Sequence, residues 1–153
     1  DLQTMADQMI NSLLQSGVIA GQRPVVYFYG VQNKTHEHID TKSITDSIKV
    51  ALVRSGRFQV TGAMEVPDEL RRQIEYQTTS GMVNPATAAR FGQQIGAQYF
   101  IYGDLTSIVK RAGRMEDVWY KFTLQLINVE TAILDWADEV EISKAQERAW
   151  FGR

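Results

Sequence analysis

The sequence predicts one α/β (α+β) domain over residues 1–153, in which a mixed, mostly antiparallel sheet of about four to five strands packs with about four helices. Three observations lead to this prediction. In the first two thirds, short β-rich runs alternate with amphipathic helical segments, as in strands joined by crossover helices. The last third holds strand-like runs separated by short turns, as in antiparallel hairpins. The sequence also contains no internal repeat, low-complexity stretch or linker.

The opening segment predicts an amphipathic helix followed by a buried strand. Its apolar residues recur at three- and four-residue steps, at Leu2, Met5, Ala6, Met9, Leu13 and Leu14. Gly17 then stands where a helix end favours a left-handed residue. The run "VVYFYG" places β-branched and aromatic residues side by side without alternation, which indicates a strand buried on both faces.

Further helices and a short strand are predicted in the middle of the chain. In "TKSITDSIKVALVRSG", Ser43 and Asp46 have the spacing of a capping box, and Gly56 ends the helix. The segment "RFQV" predicts a short strand. A helix is expected from "VPDELRRQIEYQTTSG", because it opens with a proline and two acids. In "NPATAARFGQQIG", Asn84 is the predicted cap and Pro85 occupies the first helical position.

The C-terminal third predicts three strands. "AQYFIYGDLTSIV" forms the first, and the charged segment "KRAGRMED" is expected to be the loop that follows it. In "VWYKFTLQLINV" polar and apolar residues alternate, which predicts an antiparallel strand with one apolar face. That face would carry Val118, Tyr120, Phe122, Leu124 and Leu126. "ILDWADEVEIS" should return beside it, with acids on one side and Leu134, Trp136, Val140 and Ile142 on the other.

Composition excludes several classes of function. A formal net charge of −2 argues against a general nucleic-acid binder, which needs a basic surface. No apolar run reaches the roughly eighteen residues of a membrane span. The absence of cysteine excludes thiolate chemistry and cysteine-based zinc sites. Because the chain starts directly in helix-forming sequence, we expect it to be a fragment whose natural N-terminus lies upstream.

The segment "NKTHEHID" concentrates reactive side chains. His36 and His38 could bind one zinc ion, with Asp40 or Glu37 as third ligand, as in a metal-dependent hydrolase. The alternative is a strand-to-helix turn in which Asp40 or Thr41 starts the next helix. We favour the turn, because the sequence holds no third histidine. Nucleophile elbows and phosphate-binding glycine motifs are absent too, so the sequence predicts no enzyme, no catalytic residue, no cofactor and no metal.

The last hairpin offers residues suited to recognition. Arg111 and Arg114 cluster with Lys110, and Met115 and Trp119 follow them. Trp119 points away from the apolar face of its strand, and tryptophan and arginine are enriched in protein interfaces. The alternative is that a helix covers Trp119 and that the basic residues are only solvated.

Three segments carry a resemblance to a known family: "VVYFYGVQNKTHEHIDTKSITDSIKVALVRSGRFQV", "FGQQIGAQYFIYGDLTSI" and "YKFTLQLINVETAILDWADEVEI". With them the chain resembles, over nearly its whole length, the LpoB family of lipoprotein activators of a penicillin-binding protein. The wider pattern also resembles the periplasmic domains of curli-secretion lipoproteins and of the TolB N-terminal domain. In these families N-K-T-x-x-x-I-D implies a structural turn without metal, which makes Asn33, Thr35 and Asp40 turn and cap residues.

The resemblance implies a non-catalytic regulator. The parent protein would be an outer-membrane lipoprotein whose globular domain, expected to be a monomer, docks in the periplasm on a regulatory domain of a bifunctional class A penicillin-binding protein. Docking would stimulate glycosyltransferase and transpeptidase activities of this peptidoglycan synthase. The family's lipidated cysteine and linker are missing from this sequence. The rival function is an oligomeric secretion or assembly lipoprotein of the curli-secretion type.

The docking surface itself is assigned on residue type rather than on a family motif. Its expected members are Arg111, Arg114, Met115 and Trp119, with Met82 and Arg90 as further candidates. Met82 lies in the predicted loop "TTSGMVNP", where an alternative role is that of a buried loop anchor.

Overall fold

The computed structural model describes residues 2–61, 72 and 84–151. Within these residues the chain forms four helices and five strands. In chain order they are α1 (Leu2–Gln15), β1 (Val25–Asn33), α2 (Lys42–Arg54), β2 (Gln59–Val60), α3 (Pro85–Gln94), β3 (Tyr99–Ala112), β4 (Met115–Asn128), β5 (Ile133–Ser143) and α4 (Lys144–Phe151). The helix predicted from "VPDELRRQIEYQTTSG" lies outside the described residues, apart from Arg72.

The five strands form one mixed sheet in the order β2-β1-β3-β4-β5. β1 is parallel to both β2 and β3, because α2 and the chain before β3 act as crossover connections. β3, β4 and β5 are antiparallel neighbours and make the longest pairings in the sheet. The predicted fold class, a mixed and mostly antiparallel sheet with helices, is confirmed.

Helices cover the two faces of the sheet unequally. α1, α2 and α4 pack on one face, where the larger apolar cluster includes Tyr120, Phe122, Leu124 and Leu126 of β4. These four side chains are fully buried, as the alternation in the sequence predicts. α3 packs on the opposite face against a smaller cluster that contains Phe100 of β3. We call the first face the helical face and the second the α3 face.

β1 contributes to both clusters, as predicted for a strand without alternation. Val26 and Phe28 belong to the cluster on the helical face, and Tyr27 belongs to the cluster beneath α3. The register between β1 and β3 shifts between Phe28 and Gly30. Gly30 has a φ of 105°, a value that favours glycine, so the irregularity falls at a residue that tolerates it.

The capping box predicted at the start of α2 is wrong. The helix begins at Lys42, and Asp40 Oδ1 accepts a hydrogen bond from the Lys42 N–H group at 2.9 Å. Ser43 therefore lies inside the helix, where it cannot act as the first half of a capping box. Asp46 instead pairs with the Lys42 ammonium group at 2.7 Å. By contrast, Asn84 caps α3 as predicted, since its side chain accepts the N–H groups at the start of that helix.

The C-terminal strands also differ from the prediction in two places. The segment "KRAGRMED" is strand rather than loop: Ala112 pairs with Met115, and only two residues make the turn. Gly113 has a φ of 64°, which glycine allows in so tight a turn. A register shift opposite Leu126 places Leu134 beside Ile127 on the α3 face, not beside Trp136 as predicted.

Candidate partner-binding surface

The hairpin of β3 and β4 extends beyond the rest of the sheet. β1 pairs with β3 only as far as Leu105, and β5 pairs with β4 only as far as Trp119. Past these points the two strands pair only with each other among the described strands. We call this two-stranded extension, residues 109–118, the ribbon. A free two-stranded ribbon is marginally stable in water, so its strands depend on the sheet from which they extend.

The ribbon carries three of the predicted docking residues. Arg111 and Glu116 face each other across the strands, with Nε and Oε1 at 3.1 Å. Both side chains are largely exposed, so the pair contributes little to stability and can exchange partners at low cost. Arg114 is exposed in the turn and has no ion pair among the described residues. Met115 is 72% exposed, the highest fraction among the large apolar side chains that the structure describes.

Trp119 lies at the base of the ribbon on the α3 face. It is half-buried, and the Lys110 ammonium group lies 4.4 Å from the centroid of its ring. The same Lys110 Nζ atom is 2.5 Å from Glu141 Oε2, so it links β3 to β5 across the strand that carries Trp119. Lys121 and Glu139 form a second ion pair on this face at 3.5 Å. Trp119 therefore lies in a patch of paired charges.

Arg90 is separated from these residues. It lies on α3, where its guanidinium group is 3.4 Å from Thr87 Oγ1. α3 packs over Phe100 near the start of β3, whereas the partner of Trp119 across the strands is Ile108. Eight residues of strand span about 26 Å, so Arg90 cannot belong to one compact patch with the ribbon. Met82 lies outside the described residues.

The "NKTHEHID" segment forms the predicted turn. The Asn33 side chain donates to the Glu37 carbonyl at 2.8 Å and accepts from the Thr35 N–H and Oγ1 groups at 3.0 and 2.6 Å. His36 and His38 are exposed. The Tyr120 hydroxyl donates to the Glu37 carboxylate, which also lies 3.4 Å from the Lys144 ammonium group. No described group of three or more histidines, aspartates or glutamates is arranged to hold a metal ion.

Two acidic residues important to the structure were missed in the sequence. The sequence suggests only a metal-ligand role for Glu37, yet its carboxylate joins the turn to Tyr120 of β4 and to Lys144 of α4. Asp104 of β3 is buried, and its Oδ1 atom has no hydrogen-bond partner among the residues that the structure describes. Burial raises the pKa of Asp104 to about 6, although the nearby Lys34 charge acts in the opposite direction. The available signal was an aspartate inside the otherwise apolar run "YFIYGDL".

In the part of the chain that the structure describes, no helix is both long enough and apolar enough to span a membrane.

Solved structures show the same fold. The C-terminal domain of LpoB from Escherichia coli aligns with a TM-score of 0.66 and 20% identity, covering 94% of this chain and 99% of that one. The corresponding domain from Salmonella enterica aligns with a TM-score of 0.64 and 18% identity, with the same coverage. At this identity the likeness supports the fold alone.

Sequence comparison identifies the family. A curated relative, penicillin-binding protein activator LpoB of Enterobacter sp. (strain 638), is 23% identical over 137 residues, which are 89% of this chain and 58% of the relative. The chain thus spans little more than half the length of that relative. The family model for peptidoglycan-synthase activator LpoB matches residues 1–142. An activator family agrees with the prediction that the chain is not an enzyme. The chain belongs to the LpoB family of peptidoglycan-synthase activators.

Proposed function

We propose that this chain is the globular domain of a periplasmic activator that docks on a regulatory domain of a bifunctional class A penicillin-binding protein. Docking stimulates the glycosyltransferase and transpeptidase activities of that synthase. The observation that carries the proposal is the family match over residues 1–142. In the full-length protein, a lipid anchor upstream of this chain would hold the domain to the outer membrane.

An activator without catalytic groups works through differential binding. It must bind the active conformation of the synthase more tightly than the resting conformation, because only that difference shifts the equilibrium. About 1.4 kcal/mol of difference changes the ratio of the two states tenfold. The activator therefore needs only a few well-placed contacts that the resting synthase cannot make.

The ribbon is the docking surface in this proposal. Met115 offers an exposed apolar side chain beside the unpaired charge of Arg114. Trp119 adds a large aromatic ring at the base, 4.4 Å from the Lys110 ammonium group. Such a combination of aromatic and arginine side chains is typical of interface residues that dominate the binding energy. Arg111 contributes to docking by releasing Glu116, its exposed ion-pair partner, and pairing with the synthase instead.

A triple variant tests this surface. Arg111→Glu, Arg114→Glu and Trp119→Ala together should weaken binding to a class A synthase by at least about tenfold and reduce stimulated glycan polymerisation in parallel. The matched control reverses two exposed cations elsewhere, Lys49→Glu with Arg57→Glu, which changes the net charge equally.

The outcomes separate two questions. If the folded triple variant binds as tightly as the wild type, the docking surface lies elsewhere on the domain. If the wild-type domain neither binds nor stimulates any class A synthase, the proposed function is wrong. Circular dichroism of each variant establishes that the fold is retained.

A further inference from the structure

A polar cleft lies at the end of the sheet opposite the ribbon. It has a volume of about 450 Å³ and opens where the chain enters β3 and leaves β4. Polar side chains dominate its lining: Gln22, Gln93, Gln98, Asn128 and Glu130, with Tyr99 at its edge. Its volume falls in the range of about 300–1,000 Å³ that is common for small-molecule sites.

Backbone contacts fix three of the amide side chains. Gln98 Oε1 accepts the Val25 N–H group at 2.9 Å, and Gln93 Nε2 donates to the Val129 carbonyl at 3.4 Å. Asn128 Oδ1 accepts the Glu130 N–H group at 2.9 Å. The Nε2 group of Gln98 and the Oε1 atom of Gln93 have no further partner among the described residues. A donor and an acceptor are thus held in the cleft before any ligand arrives, which lowers the entropic cost of binding.

The charges of the lining exclude several ligand classes. Among the described residues it contains no lysine or arginine, so phosphates and other anions would find no counter-charge there. Glu130 is its one carboxylate, which is too little for the oxygen-rich coordination that calcium needs. The apolar residues of the lining, Ala97, Tyr99 and Val129, are each less than 10% exposed, so a lipid chain would gain little on burial.

We propose that this cleft binds a short neutral saccharide. Each sugar hydroxyl both donates and accepts, which matches the mixture of amide nitrogens, amide oxygens and one carboxylate in the lining. The proposal is independent of the proposed function, because the cleft and the ribbon lie at opposite ends of β3 and β4 and both can be occupied at once.

A titration followed by nuclear magnetic resonance tests the proposal. Tetra-N-acetylchitotetraose and maltotetraose, two neutral tetrasaccharides, are added separately to the ¹⁵N-labelled domain, up to about ten times the Kd of roughly 1 mM expected for a shallow polar site. Saturable shifts should occur at the side-chain amides of Gln93 and Gln98 and at the backbone of residues 128–130. Shifts at these positions with tetra-alanine instead of either saccharide would identify a peptide site and overturn the proposal.

Two exposed side chains allow a mutational test. Gln22→Ala and Glu130→Ala should each weaken saccharide binding by about three- to tenfold, equivalent to the loss of one or two net hydrogen bonds. The matched control is Gln8→Ala on α1, an exposed glutamine outside the cleft, which should bind as the wild type does. The absence of saturable shifts with either saccharide in the wild-type domain refutes the proposal, whatever the variants do.

Discussion

Replacing Asp104 with asparagine should stabilise the domain at neutral pH. Asp104 lies on the central strand β3 between Gln32 of β1 and Thr123 of β4, and only 7% of its surface is exposed. Its Oδ1 atom accepts no hydrogen bond from any described residue. Burial raises the pKa of this carboxyl from 3.8 to about 6, despite the opposing charge of Lys34. At neutral pH the folded protein therefore holds a poorly compensated negative charge.

The size of the effect follows from the difference in pKa between the folded and the unfolded chain. Between pH 3.8 and about 6 the folded state binds more protons, so the free energy of unfolding falls as pH rises through this range. The favourable contribution of the protonated carboxyl is fully present below pH 3.8 and lost above about 6. At about 1.36 kcal/mol per pKa unit, the loss amounts to about 3 kcal/mol. Asparagine cannot ionise but leaves a buried amide unpaired, so we expect a net gain of about 1–3 kcal/mol.

Urea unfolding of the wild type and of Asp104→Asn at several pH values between about 4 and 7.5 measures this effect. The stability difference between the two proteins should grow in favour of the variant as pH rises. Asp117→Asn on the exposed ribbon is the control and should change stability little at any pH. A difference that does not depend on pH, or a variant that is less stable than the wild type at about pH 7.5, would refute the reasoning.

Three further predictions concern packing, hydrogen bonding and assembly. Gly92→Ala should destabilise the domain by about 1–3 kcal/mol in thermal unfolding, because the new Cβ would lie 2.5 Å from Val129 Cγ2. Adding Val129→Ala to this variant should restore part of the lost stability. A Gly92→Ala variant as stable as the wild type would contradict the contact. Tyr120→Phe should lower the free energy of unfolding in urea by about 1–3 kcal/mol, because it removes the hydrogen-bond donor to Glu37; an unchanged free energy would contradict a stabilising role for this bond. Multi-angle light scattering should give the mass of a monomer, whereas a ring-sized mass would favour the secretion-type function.

The sequence predicts those features that depend on local pattern. The alternation from Val118 to Leu126 identifies the core face of β4, because each strand residue points opposite to its neighbour. Asn84 and Pro85 identify the start of α3 for a similar reason, because a helix cap interacts only with the first turn of the helix that follows it. The turn at Asn33 is equally local, since its partners lie within six residues.

Features that depend on contacts between residues far apart in the sequence cannot be predicted from local pattern. The charged ribbon was predicted to be a loop, because the pairing of Arg111 with Glu116 appears only when the strands are aligned. Leu134 was assigned to the wrong face, since a bulge changes side-chain direction without a clear mark in the sequence. The state of Asp104 depends on burial among other strands, and the proposed docking surface depends on which charges remain unpaired after folding.

The two borders of the sheet discourage self-association. One border is β2, which is only two residues long and offers a second molecule little backbone to pair with. The other is β5, where Asp135, Glu139 and Glu141 alternate along the strand and a bulge interrupts its regular hydrogen bonding. Glu141 and Glu139 are held in ion pairs with Lys110 and Lys121, so a second copy that paired with β5 would have to accommodate these charged side chains along the strand. A second copy would therefore gain little by adding its own strand to either border.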